Sequence, residues 1–374
     1  MPEPEPQSAE SLLRGSVLVL LQFDICEAIR LDQLRELIRA RAVEHSRPRH
    51  PAPENIRFQS PPVVVPLDPL VLESGERLQG EMKYYDYGVV SVVFELAFAG
   101  GWSKLIQLAS RWVWEVDFAA QATAILRVNL ERAAPALIKP YKEWLSEDYL
   151  IFHVREITSS EITGALSVAE LIERHGAQIA QVVRGDQGEL ATSECNEVLQ
   201  SRISYYANDL SVIGWNAAFL YDSTSGAETA IQLLEYANSQ LLTFRHYDDL
   251  LTAELERVYT LLDEGTGLFA RWRLARTATR LHTVLLDVAE LTERADNAIK
   301  FLSDMFSARL YKLAALKVGV PDYKELVTRK VRTAEELYRF MVDQFNQSRA
   351  FFLEVTVVII LVIELVYLFR GMPF

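Results

Sequence analysis

The chain has 374 residues, 50% of them hydrophobic and 24% charged, with a formal net charge of −13. That length suffices for two domains with sizeable cores, and the acidic balance argues against direct nucleic-acid binding, which depends on Lys and Arg neutralising phosphate. Its two cysteines, Cys26 and Cys195, stand far apart without metal-ligand spacing, as expected in a reducing compartment.

The opening MPEPEPQSAE is acidic and Pro-rich. It lacks the basic start of a secretory signal and is too acidic for a transit peptide, so residues 1–13 read as a disordered tail. An α+β domain is expected over residues 14–222. Ser16–Asp24 (SVLVLLQFD) reads as a short apolar strand. Leu31, Leu34, Leu37 and Ile38 give Leu31–Val43 a helix period. The prolines at 48, 51, 53, 61 and 62 mark a loop. Val63–Leu72, broken by Pro66 and Pro69, is an edge strand at best. Glu81–Ala99 reads as two strands joined near Asp86–Gly88, or as one long strand bulged at Gly88. Trp102–Trp114 and Phe118–Leu137 are predicted helices, and Tyr149–Ile157 a further strand. Together these imply a sheet of about four strands with helices on one face.

Further along, Leu166–Val183 is amphipathic helix, broken by Gly185–Gly188, and Leu190–Gln200 is a shorter helix. Ser211–Tyr221 reads as a strand returning to the sheet. Asp222–Gly226 (DSTSG) is a loop in which Ser225 is a candidate N-cap.

From Ala227 the pattern turns heptad-like, and residues 223–350 are expected to form long antiparallel helices, a coiled-coil-like bundle or stalk. Leu234, Ala237, Leu241, Phe244, Leu251, Leu255, Val258 and Leu262 recur at three- and four-residue steps, with Asp248 interrupting. Glu264–Gly267 is a turn. A second helix aligns Leu274, Ala278, Leu281, Leu285, Val288, Ala295, Ile299, Leu302 and Phe306 and ends at Gly319-Val320-Pro321. A third, from about Tyr323, carries Val327, Val331, Ala334, Tyr338, Met341 and Phe345. Short turns favour an intramolecular bundle over an oligomeric stalk.

The last stretch, Phe351–Phe369, reads FFLEVTVVIILVIELVYLF. About nineteen residues make roughly 28 Å of helix, near the thickness of a bilayer's hydrocarbon core. The expectation is a C-terminal transmembrane anchor over Phe351, Glu354, Ile360, Glu364 and Phe369. It would make a single-pass protein of a bacterial inner membrane with its bulk in the cytoplasm. Glu364 is expected at a contact between subunits of a homo-oligomer, because an ionisable group inside a span usually faces another helix. Arg271, Trp272, Arg273 and Arg276 form a candidate basic tip against anionic lipid headgroups.

Chemistry-bearing motifs are sparse. None of the six histidines, His45, His50, His153, His175, His246 and His282, sits in an HExxH pair. His153, inside a predicted strand, reads as a structural histidine, and Tyr247-Asp248-Asp249 beside His246 as a solvated helix face. Arg184-Gly185-Asp186 reads as a helix-ending turn. Phosphate-cradling, dinucleotide and nucleophile-elbow motifs are absent. No catalytic, cofactor-binding or metal-ligating residue is assigned, and no cofactor is implied.

Tyr85–Phe94 (YDYGVVSVVF), followed much later by a closing apolar run with an internal glutamate, is similar to the required-for-meiotic-nuclear-division family, also called YagE-like. That resemblance implies a membrane helix at the chain's end and, for mitochondrial relatives, support of translation. It carries over no catalytic residue, and this chain would be a bacterial member. Two functions are expected. The first is a non-catalytic, membrane-anchored scaffold or tether for an unidentified protein partner. The second is a membrane-bound enzyme or small-ligand-binding protein with a pocket in the α+β domain, lined by residues such as Tyr85, Asp86 and His153.

Overall fold

The structure is a computed structural model that describes residues 11–39, 61–158, 166–263, 276–289 and 305–369. Its contacts divide into two units: Met1–His246 with Ala295–Tyr323, and Tyr247–Arg294 with Lys324–Phe374.

The first unit is built on β1 (Leu12–Ile29), whose residues 15–26 are buried without a break. Continuous burial means that both faces of the strand are covered, and the alternation of side chains decides what covers each. Val17, Val19, Leu21, Phe23 and Ile25 enter the main hydrophobic core. The alternate positions Ser16, Gln22 and Asp24 are buried and polar. After β1 come α1 (Leu31–Arg39), β2 (Val63–Val71), β3 (Arg77–Tyr84), β4 (Val89–Gly100), α2 (Trp102–Trp114), α3 (Phe118–Ala133) and β5 (Leu137–Thr158). Then follow α4 (Val168–Arg184), α5 (Thr192–Gln200), β6 (Arg202–Ile203), β7 (Leu210–Ile213), β8 (Ala217–Tyr221) and α6 (Thr224–Asp263). The strands form one eight-stranded sheet in the order β2-β3-β4-β1-β5-β8-β7-β6. Its neighbours are antiparallel except β5 and β8, which run parallel.

The expected sheet of about four strands is therefore too small, for local reasons. Ser211–Tyr221 is a hairpin rather than one strand, because Gly214 N–H bonds to Ala217 O at 2.9 Å and turns the chain. The predicted helix ending at Leu137 stops at Ala133, where Pro135 sits in a single 3-10 turn. The chain then pairs at once with the far end of β1, Leu137 opposite Ile29. The helices also cover both faces: α2, α3 and α4 supply the main core, while Leu242 of α6 packs on Tyr85 and Val89 across the sheet. The β3–β4 hairpin turns at Gly88, φ +89°, where a Cβ would lie 1.8 Å from Cys26 O. α4 opens with a capping box in which Ser167 and Glu170 each bond the other's backbone N–H.

The second unit is helical. The later half of α6 buries Leu251, Leu255 and Val258; α7 (residues 276–289) buries Ala278, Leu281, Leu285 and Val288. α9 (Val320–Phe369) buries Val327, Ala334 and Met341. The buried Glu254 receives Arg257 at 2.5 Å and Arg280 at 2.8 Å. Between α7 and α9 in the chain lies α8 (Met305–Val318), which belongs to the first unit.

The transmembrane expectation is corrected. Among the described residues no helix is long and apolar enough to cross a membrane. The described apolar side chains run from Leu353 to Phe369, and Glu354 and Glu364 interrupt them. The C-terminal anchor, the single-pass attachment and the inner-membrane location lose their support together.

Candidate functional site

The parallel pairing of β5 and β8 stops at Val154 opposite Tyr221, where β8 ends while β5 runs on to Thr158, and the chain passes from β8 straight into α6. Beyond that pair, beside the start of α6, a cavity of about 900 Å³ opens. Crevices outside the carboxyl ends of parallel strands are where α/β sheets commonly gather ligands. Arg155 comes from β5 and Asp222 from the end of β8; Ser223 precedes α6, and Ser225 and Thr229 lie in its first turns. Tyr205, Tyr206 and Asp209 come from the β6–β7 loop, and Phe306 and Ser307 from α8.

Each wall is held by an identifiable local interaction. Asp209 spends both carboxylate oxygens on the loop, accepting from Tyr205 N–H at 2.7 Å and Tyr206 N–H at 2.8 Å. The two rings, 60% and 67% exposed, stand at 85° with centroids 4.7 Å apart. Tyr205 also meets Phe306 edge-on, at 5.1 Å. Ser223 caps α6, its Oγ accepting from Gly226 N–H at 3.1 Å. The sequence pointed two residues too late, at Ser225. Asp222 Oδ1 accepts from Ser223 N–H at 2.6 Å, and its carboxyl lies over the first turn. A Cβ on Gly226 would come within 2.2 Å of Asp222 Oδ2, so glycine is what lets the carboxyl settle there. Burial pushes the Asp222 pKa up. Below it, His153 Nε2 sits 2.9 Å from Asp222 O. A carbonyl only accepts, so Nε2 carries the hydrogen. Burial holds the His153 pKa down, as expected of a structural histidine kept neutral. Arg155, by contrast, is exposed, and its guanidinium makes no ion pair or hydrogen bond among the described residues.

A second polar cluster lies sealed between the sheet and α6. Lys83, Ser91, Gln22 and Glu147 form one row across β3, β4, β1 and β5. Lys83 Nζ meets Glu235 Oε2 at 2.8 Å and Glu81 at 3.2 Å, and Gln22 Nε2–H donates to Glu235 O at 2.7 Å. Arg245 pairs with Glu147, His246 Nδ1 lies 3.3 Å from Asp24 Oδ2, and Tyr87 bonds Ser239. Burial raises the Asp24 pKa, while Glu235 and Glu81 raise that of Lys83 against its desolvation. These pairs fix the position of α6 on the sheet. Tyr85, expected at a pocket, belongs to this packed seam, where it contacts Val89 and Leu242.

The remaining residues singled out in the sequence are dispersed. Arg271, Trp272 and Arg273 lie outside the described residues, and Arg276 is an exposed residue at the start of α7. Phe351 is within α9, its side chain outside the described ones; Glu354, Ile360, Glu364 and Phe369 are exposed along the same helix. Arg184 pairs with Glu194 at 2.5 Å, and Asp248 with Lys330 at 2.6 Å. Burial pushes the Cys26 thiol up to about 12, which leaves it inert at neutral pH. Among the described residues no group of three or more His, Cys, Asp or Glu is placed to hold a metal. The cavity residues Arg155, Tyr205, Tyr206 and Asp222 come from three separate places, a strand, a loop and the end of another strand, and only the DSTSG loop gave a signal in the sequence.

The family model described as Uncharacterized protein MJ0711, N-terminal domain, matches residues 14–228, more than half of the chain. The chain belongs to that family. Uncharacterized protein MJ0711 of Methanocaldococcus jannaschii is 20% identical over 195 residues, covering 52% of this chain and 60% of the relative. The match thus spans less than two thirds of that relative's length. No solved structure matches. The YagE-like resemblance is corrected by this membership, and the implied link to translation goes with it. Its motif, Tyr85–Phe94, is a glycine turn followed by a buried strand, a pattern that any covered hairpin produces. The expected bacterial kinship is corrected too, since the relative is archaeal.

Proposed function

We propose that this chain is a small-ligand-binding protein and that its site is the cavity beside β5 at the end of β8. The observation that carries the reading is convergence. Four segments distant in sequence place a guanidinium unpaired among the described residues, two carboxyls, five Ser and Thr hydroxyls and two exposed tyrosines around one space of about 900 Å³. Volume and lining of that kind are typical of small-molecule sites. A screen of polar metabolites by thermal shift tests it. A ligand at a hundred times its Kd adds about 2.7 kcal/mol to the folded state, which reads as a shift of a few degrees. Arg155→Ala is expected to abolish that shift while leaving the ligand-free midpoint in place, because Arg155 is exposed and makes no ion pair or hydrogen bond among the described residues. A shift that survives Arg155→Ala places the ligand elsewhere.

A second reading is a scaffold that holds a protein partner or another copy of itself. It draws on the end of α9, where Leu353, Val357, Ile360, Leu361 and Leu365 are each more than half exposed. Exposed apolar runs of that length mark association surfaces.

A further inference from the structure

We propose that the cavity takes a neutral, hydroxyl-rich ring, a monosaccharide or the ribose of a nucleoside. This rests on the reading of the cavity as a ligand site and narrows it by charge and hydrogen-bond type. Among the described residues the lining carries one cation, Arg155, and two carboxyls, Asp209 and Asp222. An anion that reached Arg155 would lie among two groups of its own sign, and a cation that reached Asp222 would lie beside the guanidinium. Asp209 already commits each of its oxygens to a backbone amide, those of Tyr205 and Tyr206. The free capacity is therefore a donor at Arg155, an acceptor at Asp222 Oδ2, and the two-way groups of Asn208, Ser225 and Thr229. A hydroxyl both donates and accepts, so vicinal hydroxyls satisfy Arg155 and Asp222 together without net charge. Tyr205 and Tyr206 are mostly exposed, yet held rigid by Asp209. They offer flat apolar faces with polar tips, which suits the C–H face of a sugar ring and costs little conformational entropy.

The test is calorimetric titration of the full chain with three sets of probes. The neutral set is glucose, galactose, ribose and adenosine. The anionic set is inorganic phosphate and citrate, and the cationic probe is spermidine. The expected result is saturable binding of at least one neutral probe. Tyr205→Leu should weaken it about ten-fold and Tyr205→Phe should restore it, since the ring rather than the hydroxyl makes the contact. Asp222→Asn should weaken the same probe, having removed an acceptor. Circular dichroism on each variant separates lost binding from lost structure, and Thr229→Val, away from the helix cap, supplies a second polar deletion if Asp222→Asn unfolds. Binding confined to phosphate or citrate, and tightened by Asp222→Asn, overturns the neutral class while keeping the cavity as a site. Binding confined to spermidine also overturns it. Should every probe fail up to about 10 mM while a metabolite of another class gives an Arg155-dependent shift, the hydroxyl proposal falls and the cavity reading stands. If nothing gives such a shift, both fall.

Discussion

Lys83 sits 2.8 Å from a Glu235 carboxylate that is 1% exposed, in a seam where water has little access. Removing one member of such a pair leaves the other charge uncompensated in low dielectric. Lys83→Met is accordingly expected to cost about 3–5 kcal/mol, read as a lower urea midpoint with an unchanged slope. The double variant Lys83→Met with Glu235→Leu should recover most of the loss, because nothing charged is then stranded. A double variant no more stable than Lys83→Met would sink this account. None of it was visible in sequence: Lys83 and Glu235 are 152 residues apart, and only strand register brings them together. Likewise Asp248, which breaks the heptad pattern, is explained by Lys330 at 2.6 Å.

At the scale of elements, local periodicity was a good guide where an element has one covered face. Trp102–Trp114 is α2 as expected, and the edge strand broken by Pro66 and Pro69 is β2, at the rim of the sheet where a missing N–H does least harm. Periodicity failed where both faces are covered or tertiary pairing dominates, as for the first half of β5 and the β7–β8 hairpin. The cavity escaped for the same reason, being made of strand ends and turns rather than of any repeating pattern. The end of α9 invites a direct experiment. Its side chains from Leu353 to Phe369 are 39–82% exposed where large and apolar, so they contribute little to the packed units. A chain ended after Phe352 is expected to keep its thermal midpoint within about 2 °C and to lose self-association by light scattering. A midpoint lower by many degrees would mean that this helix end supports the fold after all.

For the molecule as a whole, the sheet ranks its own stability. Core strands open only with global unfolding, whereas edges open locally. Hydrogen exchange should therefore be slowest in residues 17–23, 90–94 and 150–154, the stretches of β1, β4 and β5 that pair with one another. It should be fastest in β2 and β6, the two rims. Equal protection across the sheet would contradict this ordering.

The place of β1 in that order has a consequence for biosynthesis. β1 is the first strand to leave the ribosome, yet its partners β4 and β5 begin only at Val89 and Leu137 and β5 ends at Thr158. At about 5–20 residues per second, the nascent chain carries this incompletely paired apolar strand for roughly 7–30 seconds. Until β4 is complete both of its edges are open to neighbours on the same polysome, and one stays open until β5 follows, so the translation schedule itself sets how much help from holding chaperones this fold requires.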